Sequence, residues 1–450
     1  MKRTFTVLAC VGTLFVAACG GDTKLPNPTG KGSIRAINAM PGSPTTAFLI
    51  EERGLGSAAY KGVTQPATFD DFDYNFNFEI ALPGEEELTR IATQAHKVEA
   101  DRAHVFVLTG DPLSPTVTVW TSDVREWNEG DTNFEMRFTH LIESRTLEAV
   151  DFYVDEVMDP QVATNKVATV SYGEISTAQD IAGGDYVVTV TAAGDINDVL
   201  YTSPAAPVVA QSSQIAAAFD GDANDTSPLI LNLISQLGGD RQLPDANSVT
   251  VLRFLHASYP LPTVDVYDDD MLTNRIVSGL THGSASPERV VSGDLEEYFW
   301  TPENSTATIL HQGSYIAPLG TRNVISIIGE TDNRGHYSFL PDRAPTSVYA
   351  KLQVLQASVD NNFIDVYLQP AGETIGEDDF PIAGLVLTPA LVPPIPVAAG
   401  SYDLYVTAAG DRTAIAGPLR IDAANGDIFE VVILDTADPV VAELRLVPPP

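Results

Sequence analysis

The chain has 450 residues, 44% of them hydrophobic, with 33 glycines and 31 prolines, so it is neither a collagen-like polymer nor a chain too poor in apolar material to fold. Its 60 Asp and Glu against 25 Lys and Arg leave a net charge of −35 from a charged share of only 19%, so basic residues are scarce rather than acids abundant. Such a surface repels phosphate backbones and excludes nucleic acid as a partner.

Residues 1–19 read MKRTFTVLACVGTLFVAAC. Lys2 and Arg3 precede an apolar stretch from Phe5 to Val16, which has signal-peptide length and is shorter than a membrane-spanning helix requires. The stretch closes on Val16-Ala17-Ala18-Cys19, which resembles the lipobox of bacterial lipoproteins. That resemblance implies a signal peptide over 1–18, cleavage before Cys19, a diacylglycerol on its thiol and acylation of the new amine. Gly20, where an Asp would signal inner-membrane retention, implies transfer to the outer membrane. The other cysteine, Cys10, lies inside the signal, so the mature chain is expected to lack disulfides and thiolate metal sites. Residues 19–32, rich in Gly, Pro and polar side chains, are expected to form a flexible tether.

The remainder is repetitive. Gly184–Asp195 (GDYVVTVTAAGD) aligns with Gly400–Asp411 (GSYDLYVTAAGD) without gaps, eight of twelve positions being identical. Arg253–Tyr267 (RFLHASYPLPTVDVY) aligns with Gln353–Tyr367 (QVLQASVDNNFIDVY). Arg137–His140 followed by Val150–Tyr153 is a third version, and Arg35–Ala39 followed by Ala47–Ile50 a fourth. Each copy later carries an apolar run ending in an acidic turn: HVFVLTGD from His104, QIAAAFDGD from Gln214, VISIIGETD from Val324 and IFEVVILD from Ile428. Four repeats follow, at 33–130, 131–245, 246–347 and 348–450.

Within them Tyr74, Phe76, Phe78 and Ile80 alternate with polar residues, as do Tyr186, Val188 and Val190 with their neighbours, the period of a half-buried strand. Glu85–Ala103 has helix-forming composition, but the matching stretch of the second repeat carries two prolines, so a strand is predicted near Arg90–Val98. Turn clusters such as Ala193-Gly194-Asp195 and Asn425-Gly426-Asp427 recur at sandwich spacing. The predicted fold is all-β: four tandem immunoglobulin-like antiparallel β-sandwiches, independent of one another, behind the signal and tether.

Arg253-Phe254-Leu255-His256-Ala257-Ser258 followed by Val264-Asp265-Val266-Tyr267 resembles an uncharacterised bacterial domain family with an Arg-x-x-His-Ala-Ser and Val-Asp-Val-Tyr signature. The third repeat matches best. The fourth departs at Gln353, Gln356 and Ile364, the second at Leu141, Ile142 and Phe152, and the first at Asn38 and through Ala47–Ile50. The resemblance implies secreted or lipid-anchored surface proteins, often with the domain in tandem, and no assigned activity.

Strand alternation places Phe254 and His256 on one face and Arg253 and Leu255 on the other, so His256 is expected at the core edge on backbone partners, with Arg253 paired to Asp265. The repeats carry Asn38, His140, His256 and Gln356 at this position, and Asn and Gln cannot do imidazole's acid–base work. No Gly-x-Ser-x-Gly or His-Glu-x-x-His motif occurs, and His256, His282, His311 and His336 are too far apart in sequence to suggest shared ligation. No catalytic residue and no metal ligand is therefore predicted. Asp220, Asp222, Asn224 and Asp225 begin like a calcium loop, but Asp225 stands where an EF-hand needs Gly and Leu231 where it needs Glu. They are read first as a solvated turn and second as a calcium site. Tyr298, Phe299 and Trp300 are read first as core and second as a sugar-stacking surface.

The expected function is that of a non-enzyme: an outer-membrane lipoprotein serving as a binding, adhesion or spacer module. The membrane would be its partner through the lipid, and glycan or protein ligands would bind sandwich loops. An extracellular hydrolase with its site in one diverged loop is the alternative.

Overall fold

The computed structural model describes residues 27–145, 147–157, 163–330 and 333–448. The expected signal segment, with Val16, Ala17, Ala18 and the expected lipid acceptor Cys19, lies outside them. The described chain is all-β, with one 3-10 turn at Ala163–Asn165 and two sheets per repeat. The predicted strand near Arg90–Val98 is present as Thr89–Lys97.

Repeat 3 shows the pattern. Its eight strands are, in order, Thr250–Ser258, Thr263–Tyr267, Arg275–Thr281, Arg289–Val291, Leu295–Pro302, His311–Ile316, Arg322–Gly329 and Gly335–Phe339. Counted within the repeat, one sheet has the order 4-1-7-8 and the other 3-2-5-6, and repeat 1 is wired identically. Repeats 2 and 4 keep this plan with extra short strands. Strand pairs are antiparallel except that the first strand of each repeat pairs in parallel with the seventh in repeats 1 and 3 and with its equivalents, Ser213–Asp220 and Ile428–Asp435, in repeats 2 and 4. The sandwich is as expected, but this wiring is not the ABED-over-CFG order of an immunoglobulin constant domain.

The first and seventh strands are buried on both faces, and this overturns the expected independence of the repeats. In repeat 1, Ile34, Ala36, Phe106 and Leu108 face Phe48, Phe76 and Phe78 of the opposite sheet. The alternate residues Ile37, Val105 and Val107, with Trp120, form a second core with Leu141, Ala217, Phe219 and Ile234 of repeat 2. Repeats 3 and 4 meet in the same way, through Leu255, Ala257, Val324 and Ile328 against Leu355, Ala357, Val432 and Leu434. A strand inside two cores puts apolar residues on both faces, as at Val105–Leu108, and the polar residues it carries, such as Arg35 and His256, are buried with hydrogen-bond partners.

The repeats thus form two side-by-side pairs. The end of the 1–2 pair that carries the loops after the first and seventh strands abuts the start of the 3–4 pair. There Thr226 N–H donates to Gly320 C=O at 2.9 Å, Asp225 bridges Thr321, and Ser347 N–H donates to Gly42 C=O at 3.0 Å. Repeat 2 alone adds Asp240–Pro244, paired antiparallel to Leu229–Ser235, and this strand returns the chain to the end where repeat 3 begins.

Candidate functional site: the junction of four repeats

The signature residues hold the repeats together. His256 is fully buried; its Nδ1 accepts from Ser258 N–H at 3.3 Å, which leaves Nε2 to donate to Leu261 C=O at 3.0 Å. Gln356 accepts from Ser358 N–H at 3.2 Å and donates to Asn361 C=O at 2.6 Å. His140 pairs with Ile142 N–H and Leu147 C=O, and Asn38 with Met40 N–H and Pro44 C=O. All four pin the turn between the first and second strands. Burial, with His282 adding to it, pushes the His256 imidazole down to about 3, and burial also lowers His140, so both rings are neutral at physiological pH.

The Val-Asp-Val-Tyr aspartate pins a different turn. Asp151 accepts from Gly194 N–H at 2.9 Å, Asp365 from Gly410 N–H at 2.8 Å and Asp265 from Asn304 N–H at 2.8 Å. Those three donors follow the fifth strand and have positive φ, which Gly adopts without a Cβ penalty. Asp265 also pairs with Arg275 at 3.0 Å, not with Arg253 as expected. Arg253 lies on the opposite face and crosses to repeat 4, where its guanidinium donates to Pro448 C=O at 3.2 Å. Arg35 does the same to repeat 2, donating to Ser235 and Gln236 C=O at 2.7 and 2.6 Å. The signature arginine of the odd-numbered repeats is therefore a clamp between partners.

The Asp220–Asp225 loop is the hub of the junction. Asp220 accepts from Glu143 and Ser144 N–H at 2.7 and 2.9 Å, as Asp435 accepts from Val359 and Asp360 N–H in repeat 4. The ammonium of Lys61, from repeat 1, sits between Asp222 at 3.0 Å and Asp225 in a shorter ion pair. Asn232 holds the Lys61 carbonyl at 2.7 Å, and Tyr60 donates to Asp220 C=O at 3.1 Å. Asn224 accepts from Arg343 N–H and donates to Asp342 at 3.2 Å, in the connection between repeats 3 and 4. The positive charge that a calcium ion would bring is supplied by a lysine side chain. Only the sign of that charge was legible in the loop; its source, 164 positions away, was not.

Above this hub lies a cleft of about 650 Å³ between the two pairs. Pro41–Ser43 and Asp111 of repeat 1, Glu143 and Asp222 of repeat 2, and Ala344, Pro345 and Lys351 of the second pair line it. Lys351 is committed to Asp342 at 2.6 Å and Asp222 to Lys61 at 3.0 Å, so the exposed wall charges outside those pairs are the carboxylates of Asp111 and Glu143. Burial and the neighbouring Asp220 raise the Glu143 carboxyl. Sequence reasoning missed this cleft because its walls come from segments of all four repeats, each unremarkable by itself.

The aromatic run Tyr298-Phe299-Trp300 is buried, at 3%, 2% and 1% exposure, and Tyr298 and Trp300 pack edge-on against Phe254, so it is core. The histidines that looked unrelated do meet in pairs: His256 stacks edge-on with His282, and His311 lies against His336. No protein-family model and no curated protein matches the chain.

Proposed function

We propose that the chain is an outer-membrane lipoprotein that binds rather than catalyses, taking a basic protein segment into the cleft between its two pairs of repeats. The observation that carries this reading is the cleft wall: segments of all four repeats converge on it, and Asp111 and Glu143 supply its unpaired charge. A preorganised acidic concavity attracts cationic side chains and discriminates against polyanions. The neutral, backbone-bonded His140 and His256 support a non-enzymatic role, because the recurring polar constellation is occupied with folding. The lipobox at Val16–Cys19 and the tether behind it support anchoring at the amino end.

The test is binding of fluorescent oligolysine to the full chain, with neutral dextran and polyglutamate as comparisons. Oligolysine should bind, weaken as salt rises, and weaken further in a D111N/E143Q variant. Equal binding of dextran, or oligolysine binding indifferent to D111N/E143Q, would remove the cleft from the account.

A further inference from the structure

We propose that His311 and His336 form a two-imidazole chelate for a divalent transition ion, with Cu2+ as the best fit. His311 opens the sixth strand of repeat 3 and His336 lies in the eighth, each the outermost strand of its sheet, so the two rings meet across one open edge of the sandwich. His311 Nε2 and His336 Nδ1 are 2.9 Å apart. Two nitrogens each about 2.0–2.1 Å from one ion and at right angles to each other are separated by about 2.9 Å. That length is also an ordinary imidazole–imidazole hydrogen bond, so it shows the two nitrogens within chelating reach without choosing the ion; Cu2+ is chosen because imidazole suits it and it binds most tightly of the divalent first-row ions.

The backbone is shaped for this contact. A Cβ on Gly313 would stand 2.5 Å from His336 Nδ1 and 2.7 Å from its Cε1, so the glycine leaves the space the imidazole occupies. His336 is exposed and His311 half-buried, which leaves the remaining coordination positions to water. In the contact, one nitrogen carries the hydrogen and the other accepts it. The ring holding that hydrogen between the two nitrogens moves it to its other nitrogen, and both lone pairs then face the ion without net loss of a proton.

The same chain contains a contrasting pair. His96 Nε2 and His104 Nδ1 are also 2.9 Å apart, but His104 is buried and its Nε2 accepts from Glu99 N–H at 3.0 Å. That bond fixes the hydrogen on His104 Nδ1, so the pair is a closed hydrogen bond with no second lone pair to offer.

The experiment is titration of the untagged full chain with Cu2+ alone, followed by calorimetry and by electron paramagnetic resonance. One ion per chain should bind with a spectrum split by two imidazole nitrogens. H311A and H336A should each weaken binding by at least about tenfold, and G313A should weaken it with both ligands still present. H96A should leave it unchanged. The metal-free melting temperatures of H311A and H336A should stay at the wild-type value, since both side chains lie at an edge. Copper binding that survives H311A or H336A at full affinity, or that H96A removes, overturns the proposal, as does a spectrum without nitrogen splitting.

Discussion

His256 and Gln356 occupy equivalent positions in neighbouring repeats and make the same two bonds, each accepting from the N–H two residues on and donating to a carbonyl five residues on. An imidazole and a carboxamide are interchangeable here because the turn needs one acceptor and one donor at a fixed separation, not a proton that comes and goes. The difference between them is confined to acid.

The His256→Gln substitution should therefore leave the fold intact and change its response to pH. With its folded value pushed down to about 3 and an unfolded value of 6.5, His256 binds more protons unfolded than folded throughout that interval. Stability is then flat above about pH 6.5 and falls by up to about 1.4 kcal/mol per unit as pH drops towards 3. Urea melts between pH 7 and 5 should show a shallower decline in H256Q than in wild type. An identical decline would mean that the ring takes up its proton without unfolding.

The pairing of repeats predicts where the chain can be cut. A fragment spanning repeats 1 and 2, residues 27–245, should fold and melt as one unit. Repeat 1 alone should aggregate, because Ile37, Val105, Val107 and Trp120 would face water. Phe219→Ala should cost about 3–5 kcal/mol, the range for deleting a buried aromatic side chain, even though Phe219 faces away from its own sandwich. Monomeric, cooperatively folded repeat 1 would contradict the shared core.

Lys61→Ala should destabilise by a few kcal/mol, because it strips Asp222 and Asp225 of their counter-charge in a half-buried site. In that variant, millimolar calcium should raise the melting temperature above a magnesium control by mass action, whereas wild type should not respond. A calcium response of equal size in wild type would show that the lysine is not the loop's resident cation.

For the anchor, Cys19→Ser should release the protein from membrane fractions in an uncleaved or differently cleaved form. Retention of the lipid on that variant, read by mass spectrometry, would remove Cys19 as the acceptor.

What the sequence showed and hid divides along physical lines. Period-two alternation located Asp73–Ile80 and Gly184–Ala192, because each strand puts its apolar face on the core of its own sandwich and its polar residues on the other face. The backbone role of His256 was legible from Asn38 and Gln356 standing in its place. The stacking of repeats left a trace where neighbouring residues of a strand are apolar on both faces, as at Val105–Leu108 and Ile327–Ile328, since such a strand needs a second partner. The partner's identity, the Lys61 ion pairs and the His311–His336 contact depend on register between segments far apart in the chain, and no local pattern encodes them.

The extra strand Asp240–Pro244 governs how far the molecule reaches. In repeats 1, 3 and 4 the first strand begins beside the place where the last one ends, so a repeat added in that way widens the protein without lengthening it. Asp240–Pro244 carries the chain the length of a sheet before repeat 3 starts, and height is gained only there. Four sandwiches thus stand two high. The turns at Tyr259–Leu261, Asp360–Asn362 and Thr436–Asp438 crown the upper pair at the end farthest from Lys31, where the first strand of the lower pair begins.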